Sequence, residues 1–210
     1  AINTSDVDIL VELPSNLFDH YNNLSGNGQS RLLQAVRNAI LNVYPRSDVR
    51  ADGQVIKISF SDGMRFEIVP TFKSIYGGYK YPNTNCGGKW ESTNPKAEQE
   101  AMAEKNRSSN GLLYDTCRHI RYIRDNYFSS YHLSGIVIDS FVYEAIGNWR
   151  WLNSGESSSS PSGTYEQVLL NYYNQHGICY GVSINAPGSN DTVSTASSYE
   201  CLGKVLRYMI

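Results

Sequence analysis

Two aspartates one residue apart, in the run TSDVDILVELP at residues 4–14, are the first residues whose types and spacing could do chemistry. Side chains alternate between faces along a strand, so Val7, Ile9, Val11 and Leu13 share an apolar face while Asp6 and Asp8 point together to the other. Adjacent carboxylates repel unless something positive lies between them: water and salt on an open surface, a metal ion in a cleft. A third carboxylate, Glu67, stands in the later run MRFEIVPTF. There Arg65, Glu67 and Val69 share one strand face and Phe66 and Ile68 the other. If Asp6, Asp8 and Glu67 converge, they can hold two magnesium ions about 3.5–4 Å apart, the arrangement that drives in-line phosphoryl and nucleotidyl transfer. Taken alone, alternating acids on a solvated strand face are equally ordinary.

The elements that must position these acids can be read from patterning. After the first strand comes a polar stretch, SNLFDHYNNLSGNGQS, read as a loop, and then LLQAVRNAILNVY. In it Leu32, Leu33, Val36, Ala39, Ile40 and Val43 recur at helical spacing, which predicts a helix from about Gln29 to Tyr44 over one sheet face. The segment DVRADGQVIKISFSDGMRFEIVPTF predicts three strands joined at two Asp-Gly turns, Asp52-Gly53 and Asp62-Gly63. Residues 73–90 are rich in Gly, Tyr, Asn and Pro and read as loop. Asn94-Pro95 supplies an N-cap and a first-turn proline, with Glu98 as acidic support, so a helix starts there.

A second helix, about Leu112 to Asn126, carries Leu113, Cys117, Ile120 and Ile123 as its apolar stripe. Arg118, Arg121 and Arg124 sit three apart on it, each drifting about 60° around the axis. Arg118 falls opposite the stripe and Arg121 at its margin, where a long side chain can lie along the core and put its guanidinium into a cleft. Further helices are predicted in SGIVIDSFVYEAIGNW, TYEQVLLNYYNQHG and SYECLGKVLRYMI, with SGESSSSPSG as a low-complexity loop. Strands cluster early and helices late, which makes the fold α+β: a mixed-sheet catalytic lobe over 1–108 and a helical lobe over 109–210.

Composition narrows the function classes. In 210 residues the formal net charge is -2, so there is no general basic surface for gripping duplex nucleic acid. The four cysteines, Cys86, Cys117, Cys179 and Cys201, contain no CxxC pair, and the four histidines are equally scattered. Free thiols of a cytoplasmic protein are expected rather than a zinc site. No apolar run reaches membrane-span length and no secretory signal is visible. An apolar strand so near Ala1 suggests that further residues lie upstream.

The order DVDILVELP, helix, hairpin, FEIVPTF resembles the nucleotidyltransferase fold of the DNA polymerase β superfamily. More narrowly, FEIVPTF followed by YKYPNTNCGGKWESTNPKAEQEAMAEKN resembles the bacterial cGAS/DncV-like nucleotidyltransferases, or CD-NTases, whose catalytic domain is called SMODS. The stretch TCRHIRYIRDNYFSSYHLSG is similar to the helix and SSYH turn of animal cyclic GMP-AMP synthase. The resemblance implies an active site in the cleft between the two lobes. It places Asp6 and Asp8 at the family's metal-binding DxD and Glu67 at its third acid, where Asp is usual. Arg121, with Arg118 second, falls at the basic position on the triphosphate. Ser130 and Tyr131 fall at the SSYH turn, whose hydroxyl touches phosphate and whose ring stacks on a base. On the residues alone, Arg121 suits an ordinary surface pair, Tyr131 is one of sixteen tyrosines, and Ser130 suits a helix N-cap.

The implied cofactor is a pair of Mg²⁺ ions, with Mn²⁺ as the alternative, and the implied substrates are NTPs such as ATP. The implied activity is a cyclic oligonucleotide synthase of CBASS antiphage defence, whose product activates an effector protein. Two alternatives stand beside it: a nucleotidyltransferase that modifies RNA or protein, and a catalytically weak nucleotide-binding module. The family's Gly-Ser motif, about ten residues ahead of DxD, is absent, as expected of a chain whose upstream residues are missing. The animal zinc insertion is also absent, so the resemblance gives no reason to expect activation by DNA.

Overall fold

The computed structural model describes residues 7–158 and 163–210. Its first elements are strand β1 (Val7–Glu12), helix α1 (Ser15–Asn22) and helix α2 (Gly28–Val43). Asn27 caps α2, its side-chain oxygen accepting from Ser30 N at 2.9 Å, which satisfies one of the orphan amides of the first turn. Gly28 has to be glycine here: a Cβ would lie 1.9 Å from the Tyr21 carbonyl oxygen. Strands β2 (Asp48–Asp52), β3 (Val55–Ser59) and β4 (Arg65–Lys73) follow. Gly53, at φ +61°, opens the short β2–β3 turn, and the Asp62 carboxylate accepts from Met64 N at 3.0 Å in the β3–β4 turn.

Strands β5 (Tyr79–Asn83) and β6 (Lys89–Thr93) complete a six-stranded sheet of order β2-β3-β4-β5-β6, with β1 added parallel to β4. One face of its β2–β4 half buries Val49, Ile56 and Ile58 under Leu33 of α2, with Val36, Ile40, Phe66 and Ile68 packed around them. Burial of a full aliphatic side chain contributes about 1.5–3 kcal/mol, so this one-sided core fixes the register of the strands. It also leaves the other face free for the charged residues.

Two elements depart from the sequence reading. The stretch expected to be loop after β1 contains α1, because Phe18 packs edge-on against Phe72 at 5.4 Å and at a tilt against Trp90 at 4.8 Å. Residues 73–90, also expected to be loop, contain the whole of β5 and the start of β6. Asn83 of β5 donates to Glu91 of β6 at 3.0 Å, and the two strands pair antiparallel from Tyr79–Thr93 to Asn83–Lys89. Cross-strand bonds thus override a weak local propensity.

The chain forms two compact units, Ala1–Asn94 and Pro95–Ile210. The second is helical: α3 (Pro95–Ser108), α4 (Leu112–Tyr127), α5 (Gly135–Ala145), α6 (Tyr165–Gln175) and α7 (Tyr199–Tyr208), with the short strands β7 (Ile184–Asn185) and β8 (Thr192–Val193). Helix α3 therefore goes with the helices, whereas the boundary drawn from sequence at residue 108 grouped it with the sheet. The core of this unit takes Leu113, Cys117, Ile120 and Ile123 from α4, joined by Ile138 and Phe141 of α5, Leu169 of α6 and Leu202 of α7. All four cysteines are free thiols. Among the described residues no helix is long and apolar enough to cross a membrane.

Candidate active site

The sheet unit carries a row of charge on its open face. Asp8 of β1 stands opposite Glu67 of β4, Glu67 opposite Lys57 of β3, and Lys57 opposite Arg50 of β2. Residues in register across a sheet project from the same side, so the two carboxylates are direct neighbours. Asp6 lies outside the described residues. Lys57 approaches Glu67 Oε1 at 3.7 Å and binds Asp52 Oδ2 at 2.7 Å. The Asp52 hydrogen bond and charge raise the Lys57 pKa, so the ammonium stays charged and partly neutralises the row.

Hard carboxylate oxygens side by side on an exposed strand face are the donor chemistry that Mg²⁺ prefers, so Asp8 and Glu67 fit such an ion. Among the described residues no group of three or more His, Cys, Asp and Glu gathers as a metal cluster.

The helical unit places the two arginines as their helical positions predict. Arg118 is exposed and pairs with Asp115, whose other oxygen accepts from Trp151 Nε1 at 2.8 Å. Arg121 lies at the margin of the stripe, its side chain 32% exposed, and its Nη2 binds Asp139 Oδ2 of α5 at 2.8 Å. The same guanidinium donates to the Gly135 and Cys117 carbonyls at 3.3 and 3.4 Å. Both arginines line a cavity of about 490 Å³, together with Glu98, Met102, Tyr114 and Asp139.

Burial pushes the Cys117 thiol in this wall up to about 12, with Asp139 adding to the shift, so it is a packing residue and not a nucleophile. Burial also raises the Glu98 carboxyl above its ordinary range, against the opposing effect of the Ser189 hydroxyl that donates to it at 3.1 Å.

Ser130 is exposed in the turn after α4. It is not an N-cap, since Ser134 holds that position on α5. Tyr131 is 39% exposed, and the ammonium of Lys204 on α7 lies 4.7 Å from its ring centroid.

Three residues of these sites escaped sequence reasoning. Lys57 was within reach of it, because the Asp62-Gly63 turn sets the β3–β4 register that puts Lys57 opposite Glu67. Asp139 and Lys204 meet Arg121 and Tyr131 only through helix packing, which leaves no local signal.

Residues 1–106 match the family profile described as the Second Messenger Oligonucleotide or Dinucleotide Synthetase domain, SMODS. A curated relative, a probable cyclic nucleotide synthase of Bacillus cereus (strain VD146), is 25% identical over 195 residues; the match covers 83% of this chain and 58% of the relative. Among solved structures, the Elizabethkingia meningoseptica CdnE cyclic dinucleotide synthase with GTP and Apcpp superposes with a TM-score of 0.62 at 17% identity, covering 98% of this chain and 77% of its own. The Vibrio cholerae DncV cyclic AMP-GMP synthase, in complex with a linear intermediate, gives 0.60 at 13% identity, covering 96% of this chain and 54% of its own. At such identities the likeness establishes the fold.

Proposed function

The chain belongs to the Second Messenger Oligonucleotide or Dinucleotide Synthetase family, and from that premise we propose that it joins nucleoside triphosphates into a cyclic di- or trinucleotide with loss of pyrophosphate. The observation that carries this reading is the in-register pair Asp8 and Glu67 on the open face of the sheet, inside the segment that matches the family.

In this proposal Asp8 and Glu67, with Asp6, hold magnesium, which when bound lowers the pKa of an attacking hydroxyl and neutralises charge on the leaving group. Arg121 and then Arg118 bind triphosphate oxygens, for which a guanidinium fork is the apt partner. Tyr131 supplies a stacking surface to a base and Ser130 a hydroxyl to phosphate. The product then serves as a cytoplasmic signal to an effector in CBASS-type antiphage defence, a role supported by the cyclic nucleotide synthases among its relatives.

A second reading, a catalytically weak nucleotide-binding module, is favoured by one observation: Lys57 already sits 3.7 Å from Glu67, where a metal ion would otherwise supply the positive charge. Incubation of the protein with all four NTPs and Mg²⁺, followed by mass spectrometry, separates the two. A phosphatase-resistant product of cyclic mass supports the synthase, and nucleotide binding without pyrophosphate release refutes it.

A further inference from the structure

The ring of Tyr131 is held from one side and covered from another. Phe128 meets it with ring centroids 6.5 Å apart and planes at 68°, and Phe128 is itself set edge-on against Tyr208 of α7 at 5.9 Å. Lys204, one helical turn from Glu200 on the same helix, lays its ammonium over the ring at 4.7 Å and pairs with Glu200 at 3.6 Å. Nothing in the chemistry of nucleotide stacking requires a lysine there, and a base that stacks on that face of Tyr131 meets the ammonium.

Stacking of a base on an aromatic ring outweighs a solvent-exposed cation–π contact, so the ammonium yields the face. Its Glu200 partner is 63% exposed, and such a surface pair holds it only weakly. The four-carbon stem keeps the displaced ammonium within reach of the edge of the incoming base.

Resting on the reading of Tyr131 as a base-stacking residue, we infer that Lys204 selects the base: its ammonium favours nucleotides whose base edge presents carbonyl acceptors, guanine and uracil, over adenine and cytosine. A lysine ammonium has three donors and no acceptor. Guanine offers O6 beside N7 and uracil a carbonyl oxygen at the equivalent edge, whereas adenine, which shares only N7, and cytosine put an amino donor where the carbonyl would be, and a donor-only side chain cannot satisfy it.

The test is titration calorimetry of the full chain with Mg²⁺ and the α,β-methylene analogues of ATP, GTP, CTP and UTP, for the wild type, Lys204→Met, Lys204→Arg and Tyr131→Leu. The wild type should bind the GTP and UTP analogues about tenfold more tightly than the other two, the order of one good base-edge contact. Lys204→Met should bring all four within about twofold by weakening GTP and UTP alone, and Lys204→Arg should keep the preference. A Lys204→Met protein that retains the wild-type preference, or that weakens all four analogues equally, overturns the inference. Tyr131→Leu tests the underlying reading: a loss common to all four supports stacking, and no loss for any of them removes both the stacking reading and the inference.

Discussion

Arg121 of α4 and Asp139 of α5 form a partly buried ion pair, Nη2 to Oδ2 at 2.8 Å, with side chains 32% and 29% exposed. Burial opposes the charge on Arg121 and the Asp139 hydrogen bond and charge restore it, so its pKa is raised overall. Asp139 thus does for the guanidinium what a packed neighbour does for a hydrophobic side chain: it fixes one orientation.

Removing that orienting contact by Asp139→Ala should weaken NTP binding about tenfold with little change in the maximal rate, because a bound triphosphate still finds the arginine but must order it first. Arg121→Ala should weaken binding more than Arg118→Ala does, since Arg118 points to solvent and is already bound to Asp115. Steady-state pyrophosphate release over a range of NTP concentration measures all three. Equal losses for the two arginines would mean that the triphosphate does not use the inner face of α4.

How much of this was legible in the sequence depends on whether the deciding interaction is local. The apolar stripe of α4, the Asp-Gly turns and the alternation in β1 all arise within a few residues, and each is found where the pattern places it. Helix α1 and strand β5 depend on Phe18 meeting Trp90 and Asn83 meeting Glu91, pairs separated by turns the sequence does not fix. The Asp139 partner of Arg121, eighteen residues away, is set by how α4 packs on α5. Charge in the sequence names candidates; packing chooses among them.

Asp8→Asn keeps the size of the side chain and removes its charge. Pyrophosphate release should fall at least about a hundredfold, because an amide oxygen is a poor replacement for a carboxylate on Mg²⁺. Asp8 is exposed, so the fold should survive, with an unchanged circular dichroism spectrum and melting temperature. Normal turnover by the folded variant would remove Asp8 from the metal site.

Glu98 offers a test by pH. Burial raises its folded-state pKa above the unfolded value, so the folded protein binds the proton more tightly, and the carboxyl costs stability once pH rises through the unfolded and then the folded pKa. Glu98→Gln removes that cost and keeps an acceptor for the Ser189 hydroxyl. Its melting temperature should exceed that of the wild type by a small margin, about 1 °C, at pH 7.5, and should match it near pH 4 or below. A shift of the same size at both pH values would trace the effect to packing instead.

The final prediction concerns Glu67, whose neighbours in register are a carboxylate on one side, Asp8, and a cation on the other, Lys57. A glutamate can reach a magnesium ion at about 2.0–2.1 Å by folding its longer side chain, but with less positional precision than aspartate, and misplacing a reacting group by about 1 Å can cost on the order of a hundredfold in rate. Glu67→Asp should therefore preserve or raise turnover, and Glu67→Gln should nearly eliminate it. Lys57 competes with the metal for the same carboxylate, yet its side chain is 47% exposed and its pairing contributes little to stability. Lys57→Met should leave the melting temperature nearly unchanged and lower the Mg²⁺ concentration for half-maximal rate about tenfold, the order expected when a positive charge about 6 Å from a divalent ion is removed at an effective dielectric near that of water. Pyrophosphate release titrated with Mg²⁺ at saturating NTP reads out all four proteins. If Glu67→Gln turns over like the wild type and Lys57→Met leaves the Mg²⁺ dependence unmoved, Glu67 does not bind metal and is not part of the catalytic set.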